Sequence, residues 1–286
     1  MKWSPCHENR PILPAVDRLC DSRLGHHTSR RKVQRTGQDD QEHSAHAAQR
    51  RRTWLGQRPV HTRWKHPGSE APVRKGDPEA KDGAICAAVD LPSDELVIDP
   101  KTKGIRHIFV YIRKVDKAAI HPKLKTSKNK EVVFDQKGCR FTPHTLIVRT
   151  DQAVVVKSND NCAHNTHTYP IRNKADNFIL NANNRTGIKF KYPIAEFLPT
   201  TIKCDIHPWM KAYWLILDHP YMAVTDAEGR FTVTGLKPGT YEFRCWHELV
   251  GYVAAGVRRG FSVTIKANQT TRLKAVRVPL AKFTAE

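Results

Sequence analysis

The sequence has no apolar run near the roughly 18 residues that a membrane-spanning helix needs. Its apolar runs are short pieces such as Ala153-Val-Val-Val156 and Trp214-Leu-Ile-Leu217, so a transmembrane helix is excluded. It also lacks an HExxH pair, a G-x-S-x-G elbow and a glycine-rich phosphate loop, and with them the usual signatures of hydrolysis and nucleotide chemistry. Methionine is scarce, at 3 of 286 residues, and aromatic residues make up 8%. Acid is in the minority, with 28 Asp+Glu against 48 Lys+Arg, a formal net charge of +20. An excess of that size points to nucleic acid when it is concentrated and interleaved with aromatic residues. Here it is spread along the chain, and no nucleic-acid partner is expected.

What is present falls into two unlike parts. Residues 1–80 hold 12 Arg to 4 Lys, 7 His, and runs such as Arg30-Arg-Lys32 and Arg50-Arg-Arg52; beyond them the balance reverses to 12 Arg and 20 Lys. The early part shows neither period-2 nor period-3.6 apolar spacing and has few groups able to build a core, so it reads as a disordered basic leader. Met1-Lys2-Trp3 runs into Ser, Pro, Cys, His and Glu, where a secretory signal would have an apolar stretch. An alternative is that translation starts further downstream.

From about residue 84 short apolar-alternating runs are separated by Gly, Pro, Asn and Asp, which predicts an all-β chain. The candidate strands are 104–113, 144–149, 153–158, 187–192, 201–204, 211–217, 230–234, 240–246, 260–266 and 270–278. With no amphipathic helix to serve as a crossover, a β-sandwich or barrel is favoured over a parallel α/β sheet. Tyr241, Phe243 and Cys245 share one face of their strand, which makes Cys245 a core thiol.

The segment that stands apart is Cys204-Asp-Ile-His-Pro-Trp-Met210, with a thiol, an imidazole and a thioether at i, i+3 and i+6. If one strand ends at Cys204 and the next starts near Met210, the loop doubles back within five residues, helped by Pro208. A fourth donor must come from elsewhere, and Asn161-Cys-Ala-His-Asn-Thr-His167 is the His-rich spot. Two imidazoles, a thiolate and a distant thioether suit copper cycling between its two oxidation states.

Cys204-x-x-His207-x-x-Met210, preceded by His164-Asn165, resembles the blue copper proteins, and its short His-Pro-aromatic-Met loop is most similar to amicyanin and the plastocyanin-like cupredoxins. The resemblance implies a Greek-key β-sandwich and a mononuclear type 1 copper centre for electron transfer, with no substrate turnover. It implies His164, Cys204, His207 and Met210 as metal ligands. Asn165 would tie the two ligand loops together, and Pro208 and Trp209 would flank a partly exposed His207 as the electron port. The segments 104–111, 135–144 and Trp246-His-Glu248 further resemble bacterial cupredoxin-like proteins in which the core is followed by a carboxypeptidase-regulatory-like β segment. On that pattern residues 81–218 form the sandwich and 219–286 the added segment, which either stands apart or completes the same domain. The implied partner is a redox protein, an acidic one given the basic chain, in the periplasm or outside the cell. A Cys86–Cys139 disulfide is expected if the chain is exported, although the four thiols Cys86, Cys139, Cys162 and Cys245 admit three connectivities.

Two other classes compete. A zinc or copper-storage site would use His164, His167, Cys204 and His207, but the thioether after His207 argues against zinc. His167, three residues beyond His164, points to the opposite face if the segment is a strand. A carbohydrate- or protein-binding β module would need Trp214, Trp246 and Tyr252 exposed on one sheet face. His144, His219 and His247 have no partner at ligand spacing and read as structural.

Overall fold

The computed structural model describes residues 70–253 and 260–283; the rest of the basic leader, residues 1–69, lies outside the described residues. Fourteen strands follow in order: β1 Phe109–Ile112, β2 Glu131–Gln136, β3 Phe141–Thr142, β4 Thr145–Arg149, β5 Ala153–Ser158, β6 His164–Tyr169, β7 Asn177–Leu180, β8 Ile188–Lys191, β9 Thr200–Lys203, β10 Lys211–Leu217, β11 Met222–Val224, β12 Gly239–His247, β13 Gly251–Tyr252 and β14 Phe261–Ile265. One four-residue helix, Gly83–Cys86, and a few 3-10 turns are the other elements. The all-β expectation holds.

The strands form three sheets. One runs β4-β10-β9-β6-β7, a second β3-β2-β5-β8, and a third β11-β1-β12-β13 with β14 also on β12. Two pairs are parallel, β2 with β5 and β4 with β10. Parallel pairing runs against the expectation from sequence, which offers no crossover helices. Between β2 and β5 the chain makes its crossover through β4, a strand of the other sheet.

Strand β10 explains the layering. Its side chains alternate, and nearly all are buried. Ala212, Trp214 and Ile216 enter a core with Phe134, Val154, Val156 and Ile202, between the first two sheets. Tyr213, Leu215 and Leu217 enter a different one with Phe109, Tyr111 and Met222 of the third sheet. A strand buried on both faces reads as continuous apolar sequence, which is what Tyr213 to Leu217 is. The outer face of β1, with Val110 and Ile112, joins Phe243, Cys245 and Val263 in a third core. Cys245 is therefore a core thiol, as its alternation indicated.

Two observations bear on how the chain is organised. Packing starts before residue 81, since Val73 is buried in the first core and its carbonyl accepts from the Leu91 amide. The segment after 218 shares a sheet with β1, so a boundary at 218 cuts across hydrogen-bonded strands. Segments 230–234 and 270–278 are not strands. Phe231 and Val233 do pack inward with Thr232 and Thr234 exposed, but no neighbouring strand supplies a ladder. A close glycine approach fastens the third sheet's turn: a Cβ on Gly104 would lie 1.9 Å from the Glu228 carbonyl oxygen, and Gly229 has φ +76°. A side chain at Gly104 is thus excluded by backbone.

Candidate metal centre

The loop between β9 and β10 folds on itself as its length requires. The Cys204 amide donates to the Met210 carbonyl at 3.1 Å, and the Met210 amide to the His207 carbonyl at 2.9 Å. This brings the thiol, the imidazole and the thioether residue to the end of the sandwich, each at most 2% exposed. Strand β6 begins at His164 and supplies the second imidazole through its antiparallel pairing with β9.

The four ring nitrogens have distinct partners. His164 Nδ1 and His207 Nδ1 face each other at 2.8 Å. His164 Nε2 donates to Asp160 Oδ2 at 2.8 Å, and His207 Nε2 donates to Asp82 Oδ2 at 2.9 Å. A carboxylate thus holds the Nε2 proton of each ring, so each Nδ1 is turned toward the same interior point. Cys204 Sγ lies 3.8 Å from His207 Nδ1 and accepts the His207 amide at 3.4 Å. Burial raises the Cys204 thiol, but hydrogen bonds from His164 and His207 outweigh it and bring its pKa to about 6. Burial lowers His164, yet its bond to Asp160 prevails and raises it to about 9. The site therefore favours a thiolate beside an imidazolium, a charge pair that a cation would replace.

Asn165 joins two segments of the chain. Its Oδ1 accepts the amides of Asp205 at 2.6 Å and Ile206 at 3.3 Å, stitching β6 to the Cys204 loop. Trp209 is half-buried, its Nε1 donating to the Cys139 carbonyl at 3.1 Å and its ring centroid 5.1 Å from that of His207. Met210 packs in the first core beside Cys204.

One expectation is corrected, and the readings of His167 and of the tryptophans are met. His207 is not partly exposed: it is fully buried, because Asp82 and the segment pinned by the Cys86–Cys139 disulfide cover it. His167 lies across the strand from His164 and pairs with Asp205 at 3.0 Å, so it does not join the cluster. Trp214 is fully buried, with its ring edge-on to Phe134 and Tyr192, and Trp246 packs against Tyr213 and Phe109. No sugar platform is formed by these residues.

Sequence reasoning missed three residues. Asp160 sits four positions before His164, a short-range signal that was legible. Cys162, two before His164, was counted only as a disulfide candidate. It is unpaired, its Sγ is 3.6 Å from His164 Nε2, and it groups within 4.8 Å with donor atoms of His164 and His207. Burial pushes its thiol up to about 11. Asp82 comes from 125 residues upstream of His207, and nothing local marks it.

No family model and no curated protein sequence matches the chain. Solved structures with a partial likeness include amicyanin from Paracoccus versutus, 11% identical over 37% of this chain and 96% of amicyanin, TM-score 0.26. A purple cupredoxin from Nitrosopumilus maritimus is 17% identical over 31% of this chain and 99% of its own, TM-score 0.24. A copper-containing nitrite reductase from Thermus scotoductus SA-01 is 17% identical over 30% of this chain, TM-score 0.24, and the alignment spans 22% of the reductase. At TM-scores this low the likenesses decide nothing about chemistry, which has to be read from the side chains.

Proposed function

We propose that the protein is a mononuclear copper carrier of single electrons, with His164, Cys204 and His207 as strong ligands and Met210 as the axial one. The observation that supports this most is the pair of imidazoles whose Nδ1 atoms converge beside the Cys204 sulfur while carboxylates hold both Nε2 protons. The donor set fits the metal: thiolate and thioether are soft, and imidazole is acceptable to both copper oxidation states. Copper would supply a one-electron couple. The chain's own part is to hold the ligands in a buried frame, so that the coordination shell moves little. Asn165 fixes the loop, the Asp160 and Asp82 carboxylates fix the rings, and the core excludes water.

Electron transfer would be to a separate redox protein. The net charge of +20 favours an acidic one, whose association rate would fall as salt rises. The Cys86–Cys139 disulfide suits an oxidising compartment, periplasmic or extracellular. No helix among the described residues is long and apolar enough to cross a membrane.

Reconstitution with cupric ion tests the reading. An intense visible band from thiolate-to-copper charge transfer is expected, lost in Cys204→Ser and shifted in Met210→Gln. A protein that stays colourless would overturn it. The position of Cys162 favours a second reading, a closed zinc site of Cys162, Cys204, His164 and His207. In that case Cys162→Ser would cut zinc affinity sharply, whereas the copper reading leaves its band in place.

A further inference from the structure

Three histidines and a glutamate that do not belong to the first centre meet at the junction of the first and third sheets. His107 lies just upstream of β1, His144 just upstream of β4, and His247 and Glu248 at the end of β12. The register that pairs Phe109 with Trp246, carried on by two residues, sets His107 opposite Glu248. The parallel pairing of β4 with β10, closed by the Tyr213 amide donating to the His144 carbonyl, delivers His144. His107 and His144 are 7% exposed, His247 is 1% exposed, and the Glu248 side chain is 3% exposed.

The group gathers side chains of ligand type, with one direct contact among them. His144 Nε2 is hydrogen-bonded to Glu248 Oε1, and the His107 and His144 ring centroids are 5.0 Å apart. The Nδ1 of His107 is 2.9 Å from Thr145 Oγ1, and its Nε2 is buried with no hydrogen-bond partner. Donation from Nδ1 to the hydroxyl leaves Nε2 as a bare lone pair, the orientation a neighbouring oxygen gives a metal-ligating imidazole. A buried acceptor without a partner costs about 1–3 kcal/mol. His107 bears a second strain, as a non-glycine residue at φ +67°. The other Glu248 oxygen lies 3.2 Å from Lys211 Nζ, so a cation already stands at the carboxylate. His144 and Glu248, but not His107, line a cavity of about 240 Å³ that is also lined by Arg140, Lys211, Trp209 and Met210.

We infer that His107, His144 and Glu248 form a second metal site, for a divalent ion of zinc type, distinct from the sulfur-containing centre. Two imidazoles and a carboxylate leave coordination positions open to the cavity, unlike a closed structural site. His144 already touches Glu248, and binding would draw the His107 ring toward the same carboxylate and displace Lys211. Burial, the chief cause, depresses His107 to about 3, so the ring is neutral and able to ligate at ordinary pH. This inference does not rest on the identity of the metal in the first centre.

The test uses the full chain carrying His164→Ala and Cys204→Ala, which takes a donor from every ligand set of the first centre. Equilibrium dialysis should show one zinc or cobalt(II) ion bound per chain, and His107→Gln or Glu248→Gln in that background should weaken it at least 100-fold. Zero stoichiometry, or full retention in both added variants, would overturn the proposal. Thermal melts of the metal-free variants check that each folds. If neither does, zinc-edge X-ray absorption on the His164→Ala, Cys204→Ala chain decides, since a nitrogen and oxygen shell supports the site and a sulfur-containing shell refutes it.

Discussion

The Cys86–Cys139 disulfide gives a prediction whose size follows from the chain. It closes a separation of 53 residues, and both cysteines are fully buried in the first core. For a loop of that length the chain-entropy model removes about 14 cal/mol/K from the unfolded ensemble, or about 4 kcal/mol at room temperature. The bridge also pins the segment that presents Asp82 to His207. Replacing both cysteines by alanine deletes two sulfur atoms and little else, so the loss should be mostly the loop term. With a urea slope of about 2 kcal/mol/M, the midpoint should fall by roughly 2 M. The slope itself should rise, because the unlinked unfolded chain exposes more surface. Urea unfolding of the metal-free double variant and of metal-free reduced wild type measures this, and agreement between the two separates the covalent effect from packing. A double variant within 0.5 kcal/mol of wild type at an unchanged slope would refute the reasoning.

Acid should destabilise the metal-free protein between pH 6.5 and 4.5. Burial depresses His107 to about 3 and His247 to about 4, so the unfolded chain binds more protons in that window and stability falls with pH, by roughly 2–3 kcal/mol for each ring. His164, raised to about 9, offsets only about 0.4 kcal/mol of this, near the top of the window where the unfolded ring is half protonated; a flat urea midpoint across the window would count against the burial argument. Asn165→Ala strands the amides of Asp205 and Ile206 and should cost about 1–3 kcal/mol, with a shifted copper band, by melting and absorption. Gly104→Ala should lower the melting temperature through its backbone clash with Glu228 while leaving the copper band alone, since the clash is confined to the turn that fastens the third sheet; a changed band would show that the turn does bear on the centre.

How much the sequence discloses depends on how far apart the cooperating residues lie. Apolar residues bounded by turn residues mark β4, β12 and β14, which alternate, and β5 and β10, which run continuously apolar. This pattern passes over β2, whose Val132-Val-Phe134 sits between charged flanks, and the short β7. The alternation at 230–234 is correct about which side chains turn inward, yet pairing needs a neighbour, and that is a tertiary fact. The metal loop is legible because its three donors span seven residues. Asp82, His107 and Glu248 are not, since each becomes meaningful only when strands from remote parts of the chain are laid side by side. The buried state of His207 belongs to the same kind: whether an imidazole is a port or is covered depends on a segment more than a hundred residues upstream.

Strand β10 carries this through to function. Residue 210 faces the first centre's loop, 211 reaches Glu95 and Glu248, and 213 stands beside His144 and Trp246. Neighbours of both candidate groups therefore lie on or next to one strand that is buried on each face. A shift of β10 cannot reach one group without the other, because every side chain from 212 to 217 is locked in one of two cores. If metal at His107, His144 and Glu248 displaces Lys211, the new position of that ammonium is felt at Met210, its direct neighbour. Zinc loading should then move the band of the copper-loaded wild-type chain, and Lys211→Met, which leaves no ammonium to displace, should abolish that shift. A band indifferent to zinc in the wild-type chain would mean that the strand holds the two groups without coupling them.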